Sequence, residues 1–91
     1  MPKAEISWKR LDDEGEKLQV YAQRIGGQWH FHRRRRRFDP WEADPQPPLE
    51  DWMELLDAVR RGVPRRRYPP DEIERVQSAI RERFPEVAFD P

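Results

Sequence analysis

Five consecutive arginines are the residues of this chain with the clearest chemical potential: Arg33, Arg34, Arg35, Arg36 and Arg37. A guanidinium group is planar, stays charged at neutral pH and donates paired hydrogen bonds to phosphate or carboxylate. It also stacks on aromatic rings. The run therefore predicts contact with an anionic partner, and nucleic acid is the partner class that uses all of these properties.

Further polar and basic residues join the run in a candidate nucleic-acid site. Tyr21, His30 and His32 fall beside it in the predicted sheet, where a twisted ribbon can enter a DNA groove. A second basic cluster, Arg65, Arg66 and Arg67, lies in a predicted loop. Whether the two clusters share a surface, and whether DNA or RNA is the partner, is not determined by the sequence.

The alternative interpretation of both clusters is structural. In it, the five arginines pair with acidic residues that follow along the chain, and their stems cover apolar surface. The loop cluster would satisfy the last carbonyls of the preceding helix. The acidic candidates are Asp39, Glu42, Asp44, Glu50, Asp51, Glu54 and Asp57.

Metal binding and catalysis have little support in the sequence. His30 and His32 share one side of a predicted strand, but zinc sites normally need three or four protein ligands. The chain has no cysteine, its only serines are Ser7 and Ser78, and no nucleophile motif or glycine-rich phosphate loop occurs. We therefore expect no catalytic residue, no metal and no cofactor.

Trp41 lies in a proline-rich segment, where no amphipathic element requires its burial. With Pro47 and Pro48 it forms a candidate protein-interaction site, since tryptophan is favoured at interface centres. Alternatively, it folds back as a lid on the predicted helices. A protein-interaction or accessory domain, including one that self-associates, is thus the second functional hypothesis.

Composition restricts these hypotheses further. The chain has 91 residues, enough for a single domain, and its four Trp, four Phe and two Tyr argue against disorder. Eighteen basic and 18 acidic residues give zero net charge, so any attraction to nucleic acid must be local. Because no apolar signal sequence or membrane span is present, we expect a soluble, cytoplasmic protein with no membrane partner.

Alternating residues predict a three-stranded antiparallel meander over residues 4–38. Gly26 and Gly27 suit a two-residue hairpin turn, which places Ala22 opposite Phe31, Tyr21 opposite His32 and Val20 opposite Arg33. This register divides the strands into an apolar and a polar face. The predicted apolar face holds Leu18, Val20, Ala22, Trp29 and Phe31, and the polar face holds Gln19, Tyr21, Gln23, His30, His32, Arg34 and Arg36.

The carboxy-terminal half has helical periodicity. Residues 39–48 predict an extended, proline-rich connector, residues 49–84 two helices, and residues 85–91 a tail. The first helix has an apolar stripe that includes Met53 and ends at Gly62, while Asp71 and Glu74 have the spacing of a capping box at the second. We expect one α+β domain, a three-stranded β-meander followed by two α-helices packed on one face.

Overall fold

A computed structural model describes residues 5–89, which form an antiparallel sheet followed by two helices. The strands are β1 (Glu5–Leu11), β2 (Lys17–Ile25), β3 (Gln28–Arg34) and β4 (Glu42–Asp44), in the order β1-β2-β3-β4, and the helices are α1 (Leu49–Gly62) and α2 (Asp71–Arg83). The α+β class is confirmed. The chain divides into two compact units between Pro47 and Pro48. Ala4 of the predicted meander and residues 90–91 of the predicted tail lie outside the described residues.

The hairpin of β2 and β3 has the predicted register. Gly26 and Gly27 have φ angles of +59° and +81°, the left-handed conformation that a tight turn of this kind requires at both central positions. Ala22 pairs with Phe31, and Tyr21 pairs with His32. The turn and the alternation of side chains therefore agree on one pairing.

This register gives the sheet an apolar face and a polar face. Leu18, Val20, Ala22 and Phe31 are buried, and the ring of Trp8 meets Phe31 edge to face at 6.2 Å between centroids. Side chains one position along each strand point to the opposite face, which carries Gln19, Tyr21, Gln23, His30, His32 and Arg34. One turn thus sets both the core of the sheet and the composition of its polar face.

The prediction of three strands was wrong by one. Glu42–Asp44, inside the predicted connector, forms β4 and pairs with β3, where Ala43 lies opposite His32. Backbone hydrogen bonds create such a strand without any apolar alternation in the side chains. Pro40 and Pro45 flank it, as suits a short strand at a sheet edge.

The third strand was also predicted to extend through the whole arginine run, but it ends within the run. β3 ends at Arg34, and the chain then turns from Arg36 to Asp39. The Asp39 carboxylate accepts the backbone N–H of Arg36 at 3.1 Å, and the Asp39 N–H donates to the Arg36 carbonyl at 3.0 Å. Aspartate favours turns through bonds of this kind, so it ends the strand.

Helix α1 begins and ends where predicted, but its buried face differs by one residue. Leu55 is fully buried, whereas Met53, expected in the apolar stripe, is 39% exposed. Gly62 lies against the buried ring of Tyr68: a Cβ at this position would come within 2.6 Å of the ring. Glycine is therefore required at this position by close packing.

Helix α2 follows without the predicted capping box. Pro70 occupies the N-cap position with no side-chain cap hydrogen bond, so Asp71 is already helical and instead forms an i,i+4 ion pair with Arg75 at 3.5 Å. Val76 and Ile80 are fully buried on this helix. Neither helix of the described chain is long and apolar enough to cross a membrane.

The register generates a stability prediction. Phe31→Asp should lower the free energy of unfolding by several kcal/mol, because Phe31 is only 3% exposed and the new carboxylate would be buried on the apolar face. His30→Asp adds the same charge to the exposed neighbour on the polar face and should change stability far less. Thermal melting followed by circular dichroism compares the two, and equal melting temperatures would contradict the assignment of faces.

Candidate nucleic-acid interface

Three rings form a cluster on the polar face of the sheet. The rings of Tyr21 and His32, paired across β2 and β3, stack at 4.8 Å with an interplanar angle of 21°. Trp41 is the residue immediately before β4. Its ring meets that of Tyr21 edge to face, with 4.9 Å between the ring centroids. Nδ1 of His32 is buried without a hydrogen-bond partner among residues 5–89, so stacking fixes this ring. We call Tyr21, His32 and Trp41 the ring cluster.

Arg34 lies against the ring cluster and is held from three sides. Its Nε donates to Oε1 of Gln19 at 2.8 Å, and its guanidinium carbon lies 4.1 Å from the centre of the Trp41 ring. A longer contact of 3.5 Å reaches the Asp39 carbonyl. Within the described chain Arg34 has no ion pair. Its position is fixed by neutral groups, and its charge is not compensated by a carboxylate.

Arg35 is arranged in the opposite way. Its Nη1 bonds to Oδ2 of Asp12 and also reaches Oε2 of Glu16 at 3.3 Å. The other Asp12 oxygen accepts the backbone N–H groups of Glu14 and Glu16, both at 2.9 Å. The Asp12 carboxylate therefore organises the turn between β1 and β2 and ties Arg35 to it. These partners precede the run in sequence, whereas the structural alternative expected partners that follow it.

The bond to Arg35 also changes the ionisation of Asp12. The Arg35 guanidinium, followed by the backbone N–H of Glu16, lowers the pKa of the Asp12 carboxyl below its usual value. The same bond raises the pKa of Arg35. Both groups stay charged across the physiological range, so this pair holds its geometry at neutral pH.

The remaining arginines of the run are open to solvent. Arg33, Arg36 and Arg37 are exposed, and none of them has an ion pair in the described part of the chain. Phe38, at the tip of the turn, is 93% exposed, with the Arg37 guanidinium carbon 5.8 Å from its ring centre. The run therefore presents unpaired cations on both sides of the end of β3.

A groove of about 400 Å³ lies where Arg35 meets the paired ends of β1 and β2. Four basic side chains contribute to it, and no described residue that lines it is acidic. Gln19, the partner of Arg34, also lines the groove. The lining residues are Lys9, Arg10, Leu11, Lys17, Leu18, Gln19 and Arg35.

The second basic cluster belongs to the helical unit. The backbone N–H groups of Arg65 and Arg67 donate to the Gly62 carbonyl at 3.2 and 3.0 Å, and that of Arg66 donates to Val63 at 3.0 Å. Arg66 has a φ of +59°. The loop thus satisfies the end of α1 through its backbone, and its three arginine side chains are exposed.

The other candidate residues are placed as follows. His30 is exposed on the polar face, and residues 5–89 contain no group of three or more histidine, cysteine or acidic side chains arranged to hold a metal. Trp41 is 37% exposed, and its ring contacts that of Tyr21 on β2. Pro47 is buried, while Pro48 is half-buried and its carbonyl accepts the backbone N–H groups of Asp51 and Trp52.

Sequence reasoning missed several members of this surface. Gln19 was on the predicted polar face and lies opposite Arg34 in the predicted register, so the register alone could have found that pair. Asp12 carried no such signal, and Trp41 was predicted as a candidate protein-interaction residue and not as a neighbour of the arginines, because the contacts of Asp12 and Trp41 depend on a loop and on the unpredicted β4. Phe38 was overlooked beside the arginines.

Comparisons with protein-family models, curated proteins and solved structures found no match for this chain. The functional argument therefore depends on the surface itself.

The Asp12–Arg35 pair predicts a pH-dependent contribution to stability. Since the folded protein lowers the pKa of Asp12, its stabilising effect is present above the ordinary carboxyl pKa, about 4, and is lost as pH falls through the lowered value. Asp12→Asn should therefore melt below the wild type at pH 6 and converge with it in strong acid. Asp13→Asn, in the same turn, is the control. A constant difference between wild type and Asp12→Asn down to pH 2 would contradict the pairing.

Proposed function

We propose that this chain is a small non-catalytic binding module that contacts nucleic acid through the arginines at the end of β3. The observation that carries the proposal is Arg34, a half-buried guanidinium fixed by Gln19 and Trp41 without a carboxylate partner in the described chain. A guanidinium already paired with a carboxylate would have to lose that partner before it could bind phosphate. Arg34 has no such partner to lose.

The surroundings of Arg34 support a polyanionic partner. Arg36 and Arg37 are exposed nearby in sequence and unpaired within residues 5–89, so more than one phosphate can be contacted beside Arg34. The ring cluster keeps the guanidinium of Arg34 in place through its contact with Trp41. Preorganisation of this kind lowers the entropic cost of binding.

Net charge sets the expected strength of binding. The whole chain is neutral, so long-range attraction is weak and the affinity depends on the local excess of arginine. Binding should accordingly be moderate and sensitive to salt. A cytoplasmic module of this type would act as a contact surface for nucleic acid and carry out no chemistry on it.

The alternative is a protein-interaction or accessory module. The feature that favours it is the sheet edge: within residues 5–89 β1 pairs with β2 and with no other strand, so its seven-residue outer edge can pair with another strand, including one from a second copy. The candidate anchors Trp41 and Pro47 give it less support, because one is engaged by Tyr21 and the other is buried. Under this alternative, oligonucleotides would not bind.

A matched pair of double variants tests the proposal. Arg36→Gln/Arg37→Gln removes two unpaired arginines, whereas Arg61→Gln/Arg75→Gln removes two arginines that form i,i+4 ion pairs on the helices. Both lose two positive charges. In fluorescence anisotropy with labelled oligonucleotides at 50 mM salt, the first should weaken binding roughly tenfold or more and the second by much less.

Circular dichroism spectra of all variants establish that the fold is retained. Equal losses in the two double variants would show that overall charge, and not the site, governs binding. Absence of wild-type binding to any oligonucleotide at 50 mM salt would overturn the proposal.

A further inference from the structure

Phe38 is the most exposed large apolar side chain of the described chain. Its side chain is 93% exposed, at the tip of a turn that Arg36 and Asp39 close with two hydrogen bonds. The turn is therefore ordered by hydrogen bonds and is not a loose tail. An ordered backbone that presents a bare aromatic ring to solvent gains nothing for the stability of the fold.

The charges around Phe38 define what can cover it. Arg36 and Arg37 precede it directly, and neither has an ion pair among residues 5–89. The Arg37 guanidinium carbon lies over the ring, 5.8 Å from its centre, and both side chains are exposed. A complementary partner must offer a flat apolar face and negative charge within the length of one arginine side chain.

From this juxtaposition we infer that the turn binds single-stranded nucleic acid, with one base stacked on Phe38 and the adjoining phosphates held by Arg36 and Arg37. The inference rests on the proposed function and names its substrate class. A nucleotide has the required composition, because each base has a π face and each is followed by a phosphate. Base stacking on an aromatic side chain is also tolerant of sequence.

The requirement for a single strand follows from the access that stacking needs. In a duplex each base is covered above and below by its neighbours, so a ring can reach a base face only at an end or by unstacking a step. An unpaired strand has faces that are free at every nucleotide. An exposed ring such as Phe38 therefore favours single strands, whereas unpaired arginines alone bind either form.

The experiment compares Phe38 variants on three probes. Wild type, Phe38→Ala, Phe38→Leu and Phe38→Trp are titrated by fluorescence anisotropy against a labelled single strand and a duplex of the same sequence at 50 mM salt. Vesicles of phosphatidylcholine with phosphatidylserine form the third probe, followed by cosedimentation. Met53→Ala, which truncates an exposed apolar side chain in the helical unit, is the matched control.

We expect wild type to prefer the single strand, and Phe38→Ala to weaken that binding by about 5- to 150-fold with little effect on the duplex. Phe38→Trp should retain affinity, while Phe38→Leu should behave like Phe38→Ala because it lacks a π face. Met53→Ala should bind as wild type does. Circular dichroism verifies that each variant folds.

Two results would overturn the inference while leaving the proposed function intact: equal affinity for duplex and single strand, or no effect of Phe38→Ala on oligonucleotide binding that Arg36→Gln/Arg37→Gln still weakens. A third result, vesicle binding that depends on Phe38 with no oligonucleotide binding, would overturn both and assign the turn to an anionic lipid surface. The three results are distinguishable in one set of titrations.

Discussion

The two-residue turn at Gly26 and Gly27 is the constraint on which the sheet depends. Both residues have positive φ, a conformation that costs glycine little and other residues more. A turn of this length permits one pairing of β2 with β3. If the pairing slipped by one residue, Tyr21, His32 and Arg34 would exchange faces with Val20 and Phe31, and the core and the candidate surface would both be lost.

The register also explains why the five arginines are not equivalent. Arg34 faces Gln19 across the strands and gains a neutral partner, while Arg35, just beyond the end of β3, reaches the carboxylates of the first turn. Exposed ion pairs contribute little to stability in general. Asp12 serves instead to position Arg35. Its carboxylate joins the turn between β1 and β2 to Arg35, the residue just before the turn from Arg36 to Asp39.

The sequence determined those parts of the fold in which side-chain pattern and turn chemistry coincide. The pairing of Ala22 with Phe31 was predictable because both the turn and the apolar alternation require it. β4 was not, since Glu42–Asp44 pairs through its backbone and its side chains carry no periodic signal. The end of β3 was missed for a related reason. Arginine is compatible with both strand and turn, and the hydrogen bond from the Arg36 N–H to the Asp39 carboxylate is what selects the turn.

The candidate surface was predictable in its cations and not in its geometry. The arginine run and its neighbours Tyr21 and His32 follow directly from the register. The position of Trp41 depends on β4, which brings the proline segment back onto the sheet, and so the ring cluster could be recognised only in three dimensions. A contact of this kind depends on tertiary structure that local propensity does not encode.

The salt dependence of binding to a single strand tests the central claim most directly, because it counts phosphate contacts. Three arginines of the proposed surface, Arg34, Arg36 and Arg37, have no ion pair in the described chain. At about 0.7 per contact on single strands, the logarithm of the association constant should fall against the logarithm of salt concentration with a slope of about −2. A slope near zero would contradict the account.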